Sequence, residues 1–423
     1  MTLEEDRATS AGGTASGAAD AARLPSLPRR LAFVRLALAG QVLTFAAMVV
    51  PILLRRSDQV LILVFASAIT VLLTNAAMLA YPFLYPVVRG PRMARVATVW
   101  SLVSLAVVSA AVVLATPLEP VLDLPSGTFL AAAVLTGTLG LYDMSVTRVV
   151  RADDTTGIGL ARLYYGVAVL AFTLVTSIGP FGPLALTFGT SLAYVVAAAG
   201  LAVRRQHWGP PLPRASRSTR RRLRRAYLAR SASPAVASLA GGWTVFLPGL
   251  AIPGLGAAAE PWAIVSRICG GFATVLYTIV APPFEARLSQ AVRERRPAEF
   301  AAARRRALLL STAVAVLAVV TGLALAAYAT ERDEVAGWFL PLAVATLLFW
   351  GPLLAGATIN RLPNFLGRDR SRLYWDAGRA VLVTGAFLAT SGVTRLVVMG
   401  AVLTVSAVLL LPMSRWRTDR PQS

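Results

Sequence analysis

Two arginines stand in otherwise apolar runs: Arg35 in Phe33-Val34-Arg35-Leu36, and Arg267 in Val265-Ser266-Arg267-Ile268. A guanidinium keeps its proton in such a setting and presents a planar fork of N–H donors that matches a phosphate oxyanion bidentately. Ionisable groups are costly in an apolar medium, so one found there marks a pathway or pocket by default. The competing reading is snorkelling, in which the stem crosses apolar surroundings and the charge reaches water. Snorkelling is easier for Arg35, near the end of its run. Arg267 is flanked by Ser266, Gly270 and Gly271, residue types that suit a packed or cavity-lining helix face.

Two carboxylates have similar settings. Asp143, in Leu141-Tyr142-Asp143-Met144, is expected to pair with Arg148 or Arg35, or else to hold a coupling ion. Glu285, in Pro283-Phe284-Glu285-Ala286-Arg287, reads as a gate or interface salt bridge. Gln41 and Asn75 are neutral polar groups in apolar runs, able to bond ligand hydroxyls or a neighbouring helix. Pro248 and Pro253 each remove a backbone donor, so the segment they share is expected to bend. The bend is either a hinge or a static kink.

Nothing in the chain points to catalysis. It holds no P-loop, no zinc-binding His-Glu motif, no Gly-x-Ser-x-Gly and no Asp-rich phosphate motif. Cys269 is the single cysteine and His207 the single histidine, which leaves no intrachain disulfide and no His/Cys metal centre. We expect a non-enzyme with no cofactor and no metal.

The elements that carry these residues follow from composition. Charged residues make up 14% of the chain, against about 25% in a soluble domain. A mean hydropathy of +0.66 calls for an apolar solvent on the outside of the fold. A helix needs about 20 apolar residues to cross the hydrocarbon layer. Twelve runs qualify: 31–54, 60–86, 96–116, 127–148, 158–178, 182–203, 233–256, 262–284, 307–329, 336–358, 374–391 and 394–413. The predicted fold class is all-α, a polytopic membrane protein of about twelve helices. Residues 1–30 read as a disordered cytoplasmic tail and 414–423 as a cytoplasmic tail. The chain start is acidic and then small and polar, unlike a secretory signal.

The net charge of +21 comes entirely from arginine, with no lysine. These arginines cluster between apolar runs instead of forming one basic face, which argues against a nucleic-acid partner. With the N-terminus placed in the cytoplasm, 35 arginines fall inside and four outside. That asymmetry fixes the orientation, with both termini cytoplasmic and a bacterial plasma membrane as the expected location. Ten arginines lie between Arg204 and Arg230; the basic linker 204–232 is expected to rest on anionic membrane lipids.

That linker divides six spans (31–203) from six (233–413). The halves echo each other. Pro82-Phe83 ends the second span and Pro283-Phe284 the eighth; Arg162-Leu163-Tyr164 opens the fifth and Arg372-Leu373-Tyr374 the eleventh. An even number of spans per unit makes this a parallel repeat about an axis normal to the membrane, with a cavity expected between the bundles.

The six-plus-six plan, the arginines in spans 1 and 8, the Pro-Phe-Glu-Ala-Arg exit of span 8 and the paired Arg-Leu-Tyr starts resemble the polysaccharide flippases of the multidrug/oligosaccharidyl-lipid/polysaccharide exporter (MOP) superfamily. The resemblance covers 31–413 by architecture more than by sharp motif. It implies a transporter that flips a lipid-diphosphate-linked oligosaccharide between leaflets by alternating access. The partners implied are a lipid-linked anionic glycan and glycan-assembly proteins. In the related lipid II flippases, cavity arginines on the first and eighth helices engage the diphosphate, a role that transfers to Arg35 and Arg267. Lipid II flippases usually have fourteen spans, so about twelve favours the polysaccharide branch. Two alternatives share parts of this pattern. A major-facilitator-type exporter shares the span plan, but the loop Arg89-Gly90-Pro91-Arg92-Met93-Ala94-Arg95 lacks that family's acidic signature. A membrane glycan polymerase or ligase would need a larger outer loop than the one holding Glu119 and Asp123.

Overall fold

The computed structural model describes residues 27–88, 90–152, 154–203, 216–330, 332–366 and 368–416. Among these it contains helices and turns but no strand. Most of the expected N-terminal tail, His207 and the final residues lie outside the described residues.

The long helices follow the apolar runs. The first six are α1 (Leu27–Leu53), α2 (Ser57–Ala77), α3 (Pro91–Val113), α4 (Thr128–Arg151), α5 (Thr155–Ile178) and α6 (Ala185–Ala202). The next are α7 (Arg217–Leu250), α8 (Ala259–Val275), α9 (Pro297–Ala329), α10 (Arg332–Ala355), α11 (Asp369–Ala389) and α12 (Gly392–Met413). Ten of them are long and apolar enough to cross a membrane, and the chain is a multi-pass membrane protein. The other two are α8, with 17 residues, and α11, which carries Arg372, Asp376 and Arg379 in its first half. Apolar side chains such as Val107, Leu317 and Leu388 are more than half exposed, a surface that belongs against lipid tails.

Packing follows a repeated plan. In the first six helices α2 lies against α3 and α4, α4 against α6, α5 against α6, and α1 runs along α5. In the last six, α8 lies against α9 and α10, α10 against α12, α11 against α12, and α7 meets α11. The two sets join where α7 crosses onto α2 and α1 onto α8, with α2 beside α8. The α1–α5 seam is the closest. Gly40 faces the Arg162 carbonyl and Gly166 faces the Gly40 backbone, so a Cβ at either glycine would overlap main chain. Small residues that let backbones approach are a main source of helix association in lipid.

Charged groups at the arginine-poor ends of the helices close backbone polarity. Arg56 donates from Nε to the Ser177 carbonyl (3.0 Å) and from Nη2 to the Gly179 carbonyl (2.8 Å), capping α5. Arg395 donates to the Thr390 carbonyl at 2.8 Å, just past α11. A cation at a helix C-terminus satisfies orphan carbonyls and opposes the helix dipole. Glu119 does the converse for α4: its carboxylate accepts from Phe129 N (2.8 Å) and Gly127 N (2.9 Å).

Two features depart from the expected spans. The segment expected as linker up to residue 232 is helical from Arg217, and α7 runs unbroken into the apolar run. Ser216 starts it by accepting from Thr219 N at 3.2 Å. Its basic first turns are held by the Tyr227 hydroxyl, 3.0 Å from Ser101 Oγ, and by Arg224 over the Trp100 ring. Hydropathy reports only the apolar part of such a helix. Beyond α8 the helical path continues through a π turn, Leu276–Val280, into Ala281–Arg293. Pro282 and Pro283 supply no N–H to the turn before them, and the wider π register accommodates that loss.

Candidate functional site

Between the two sets of helices lies a cavity of about 800 Å³, walled by α1, α2, α4, α5 and α6 on one side and by α7, α8 and α10 on the other. Among the described residues, two charged side chains line it: Arg267 on α8 and Asp143 on α4. They enter from opposite halves.

Arg267 is half-buried and reaches across to α1. Its Nε donates to the Met48 carbonyl at 3.1 Å and its Nη2 to the Ala47 carbonyl at 3.2 Å. The sequence explains the second acceptor. An α-helical carbonyl takes its bond from the N–H four residues on; for Ala47 that residue is Pro51, which has none. Arg267 therefore occupies a carbonyl that the proline leaves open. The crossing is close here as well, because a Cβ on Gly271 would meet Met48 Sδ. Two of the five guanidinium N–H groups are used, which leaves three for a ligand.

Among the described residues Asp143 forms no ion pair, whereas pairing with Arg148 or Arg35 was expected. Its electrostatic neighbour is Arg162 on α5, outside ion-pair distance. Three tyrosines pack around it. Tyr165 and Tyr194 are stacked with centroids 4.5 Å apart, and Tyr142 lies 5.7 and 5.4 Å from them. Tyr165 and Tyr194 line the cavity, as does Asn75. On the opposite wall the Trp350 indole N–H is buried with no partner.

The other predicted residues lie elsewhere. Arg35 is exposed and does not line the cavity. Gln41 also lies off the lining, its Nε2 buried without a partner. Pro248 lines the cavity and its carbonyl accepts from the buried Trp262 Nε1 at 3.2 Å. Pro253 sits past the end of α7 in the short 3₁₀ turn Ile252–Gly254, so it terminates the helix and does not bend it. Glu285 accepts from Arg361 at 3.3 Å, within the C-terminal half and away from the cavity. The tyrosine wall and Trp350 escaped sequence reading because aromatic residues in apolar runs look like filler. The proximity of Tyr142 to Asp143 was the one available signal.

No protein-family model matches the sequence, and no curated protein matches it. Solved structures do match the fold. A structure described as "Lipid II flippase MurJ, inward closed conformation" aligns over 92% of this chain and 87% of its own, with a TM-score of 0.60 at 11% identity. A second, the inward-facing conformation of a multidrug resistance MATE family transporter of the MOP superfamily, aligns over 90% of this chain and 93% of its own. Its TM-score is 0.51 at 14% identity. The fold is shared with these two transporters. At these identities the likeness is one of architecture alone.

Proposed function

We propose that this chain is a MOP-superfamily transporter that carries the headgroup of a lipid-diphosphate-linked oligosaccharide from the inner to the outer leaflet by alternating access. The observation that carries the reading is Arg267, a guanidinium with three uncommitted N–H groups in a cavity of about 800 Å³ between two six-helix sets. That volume lies within the range of small-ligand sites. In this reading α8 and α11 complete twelve crossings, and the 35-to-4 arginine split supports cytoplasmic termini in a bacterial plasma membrane. Glycan-assembly proteins on the same membrane would supply the substrate.

The geometry suggests how a substrate drives the change. Arg267 on α8 ties the C-terminal half to α1 of the N-terminal half through two carbonyls. A phosphate held on the three remaining N–H groups draws the guanidinium away from these carbonyls, because bonds between two ionised groups are the stronger. Binding therefore loosens the α1–α8 tie, which gives the two states the unequal affinity that a ligand-driven switch requires. Asn75 offers hydrogen bonds to sugar hydroxyls from α2, and Pro248 shapes the α7 wall.

The test is Arg267→Ala in cells, with lipid-linked glycan assayed on each leaflet. The expected outcome is accumulation on the inner leaflet and a drop in translocation of about 10- to 100-fold, in keeping with loss of a charged hydrogen-bond donor. Normal translocation by a stably inserted variant removes Arg267 from the mechanism.

A further inference from the structure

The cavity is not simply cationic. Arg267 and Asp143 are its two charged lining residues, so its fixed charge is balanced, with the signs on opposite halves. The carboxylate has no ion pair, and its lining neighbours Tyr165, Tyr194 and Asn75 are neutral. Arg162, its electrostatic neighbour, does not line the cavity. A carboxylate accepts hydrogen bonds only and is costly to hold in a membrane interior without a cation. Toward a purely anionic headgroup it would be a repulsive element, lowering the affinity that Arg267 provides. Toward a headgroup with a positive group at the far end it is a partner, and the same repulsion then rejects neutral-sugar competitors. One wall thus offers donors to an anion and the opposite wall offers an acceptor to a cation.

We propose that the cavity is matched to a zwitterionic headgroup, a sugar phosphate bearing a free amine. Arg267 takes the phosphate oxygens and Asp143 takes the ammonium. This rests on the phosphate reading of Arg267 and adds the amine as the selective feature.

Binding to the full-length protein in nanodiscs of uncharged lipid tests it at neutral pH, with glucosamine 1-phosphate and glucose 1-phosphate as probes. Wild type is expected to bind the amine-bearing probe about tenfold more tightly, as one charge-assisted hydrogen bond would give. Asp143→Asn, which removes charge while keeping shape, abolishes the preference; Asp143→Glu keeps part of it. Arg267→Gln weakens both probes by the same factor. Equal binding of the two probes by wild type, or a preference that survives Asp143→Asn, overturns the proposal and leaves the Arg267 reading standing. If Arg267→Gln changes neither probe while Asp143→Asn removes the preference, the amine site stands and the phosphate reading falls. Failure of wild type to bind either probe ends both.

Discussion

The tripeptide Arg162-Leu163-Tyr164, about two turns into α5, recurs about one turn into α11 as Arg372-Leu373-Tyr374, and the two copies have different fates. In α11 the charge is closed within the helix. Arg372 donates to Asp376 at 2.7 Å and to the Asn360 carbonyl, and Arg379 donates to the other carboxylate oxygen at 3.0 Å. Both guanidiniums lie over Trp375, which is fixed by its own bond to the Ser406 carbonyl at 2.9 Å. In α5 no such closure forms. Arg162 gives its carbonyl to the Gly40 contact, Tyr164 packs on Gly200, and the carboxylate near Arg162 faces the cavity. Tyr374, by contrast, is 74% exposed. A repeated tripeptide therefore says little about shared chemistry. The charges around the α11 copy are closed within that helix, whereas the carboxylate near the α5 copy faces the cavity.

Removing the carboxylate from each half should separate these roles. Asp376→Ala leaves two guanidiniums, 14% and 10% exposed at the side chain, without their counter-charge. The expected cost is about 3–5 kcal/mol, read as a large fall in the thermal midpoint in detergent. A midpoint near wild type would mean that α11 is not held by this cluster. Next in size is Gly166→Leu, which forces side chain into the Gly40 main chain; overpacking of this kind costs about 1–3 kcal/mol. The α7–α11 counterpart, bridged by Trp243 Nε1 to Thr384 Oγ1 at 2.8 Å, has no such glycine contact. Gly385→Leu on α11, where a Cβ meets nothing within 4 Å, should therefore be mild. Smallest is Asp143→Asn, which breaks no packing or pairing and is expected to lower stability by no more than about 0.5 kcal/mol. A large loss there would show that Asp143 has a structural partner after all.

Much of the fold was legible because hydrocarbon imposes one rule, about 20 apolar residues per crossing. The twelve runs match twelve helices within a few residues at most ends. The rule is blind to amphipathic extensions, which is why α7 begins at Arg217 and not at Ser233. It is equally blind to the π turn after α8, since one extra residue per turn leaves hydropathy unchanged. The site was less legible. Arg267, Asp143, Asn75 and Pro248 converge on one cavity, whereas Arg35, Gln41, Glu285 and Pro253 do not line it. Polarity within an apolar run identifies a residue with something to bond, but which helix faces which void is decided by packing. The arginines at 56 and 395 show a further limit: they obey helix-end chemistry and carry little topological information.

Pro51 and Arg267 lie far apart in sequence yet act on the same oxygen. Without the proline, the Ala47 carbonyl would be satisfied inside its own helix, and the arginine would have one fewer reason to point there. Without the arginine, the proline leaves an oxygen stranded in the protein interior. Each residue makes the other tolerable, so natural variation at the two positions should be correlated, and an exchange at one should relax selection at the other.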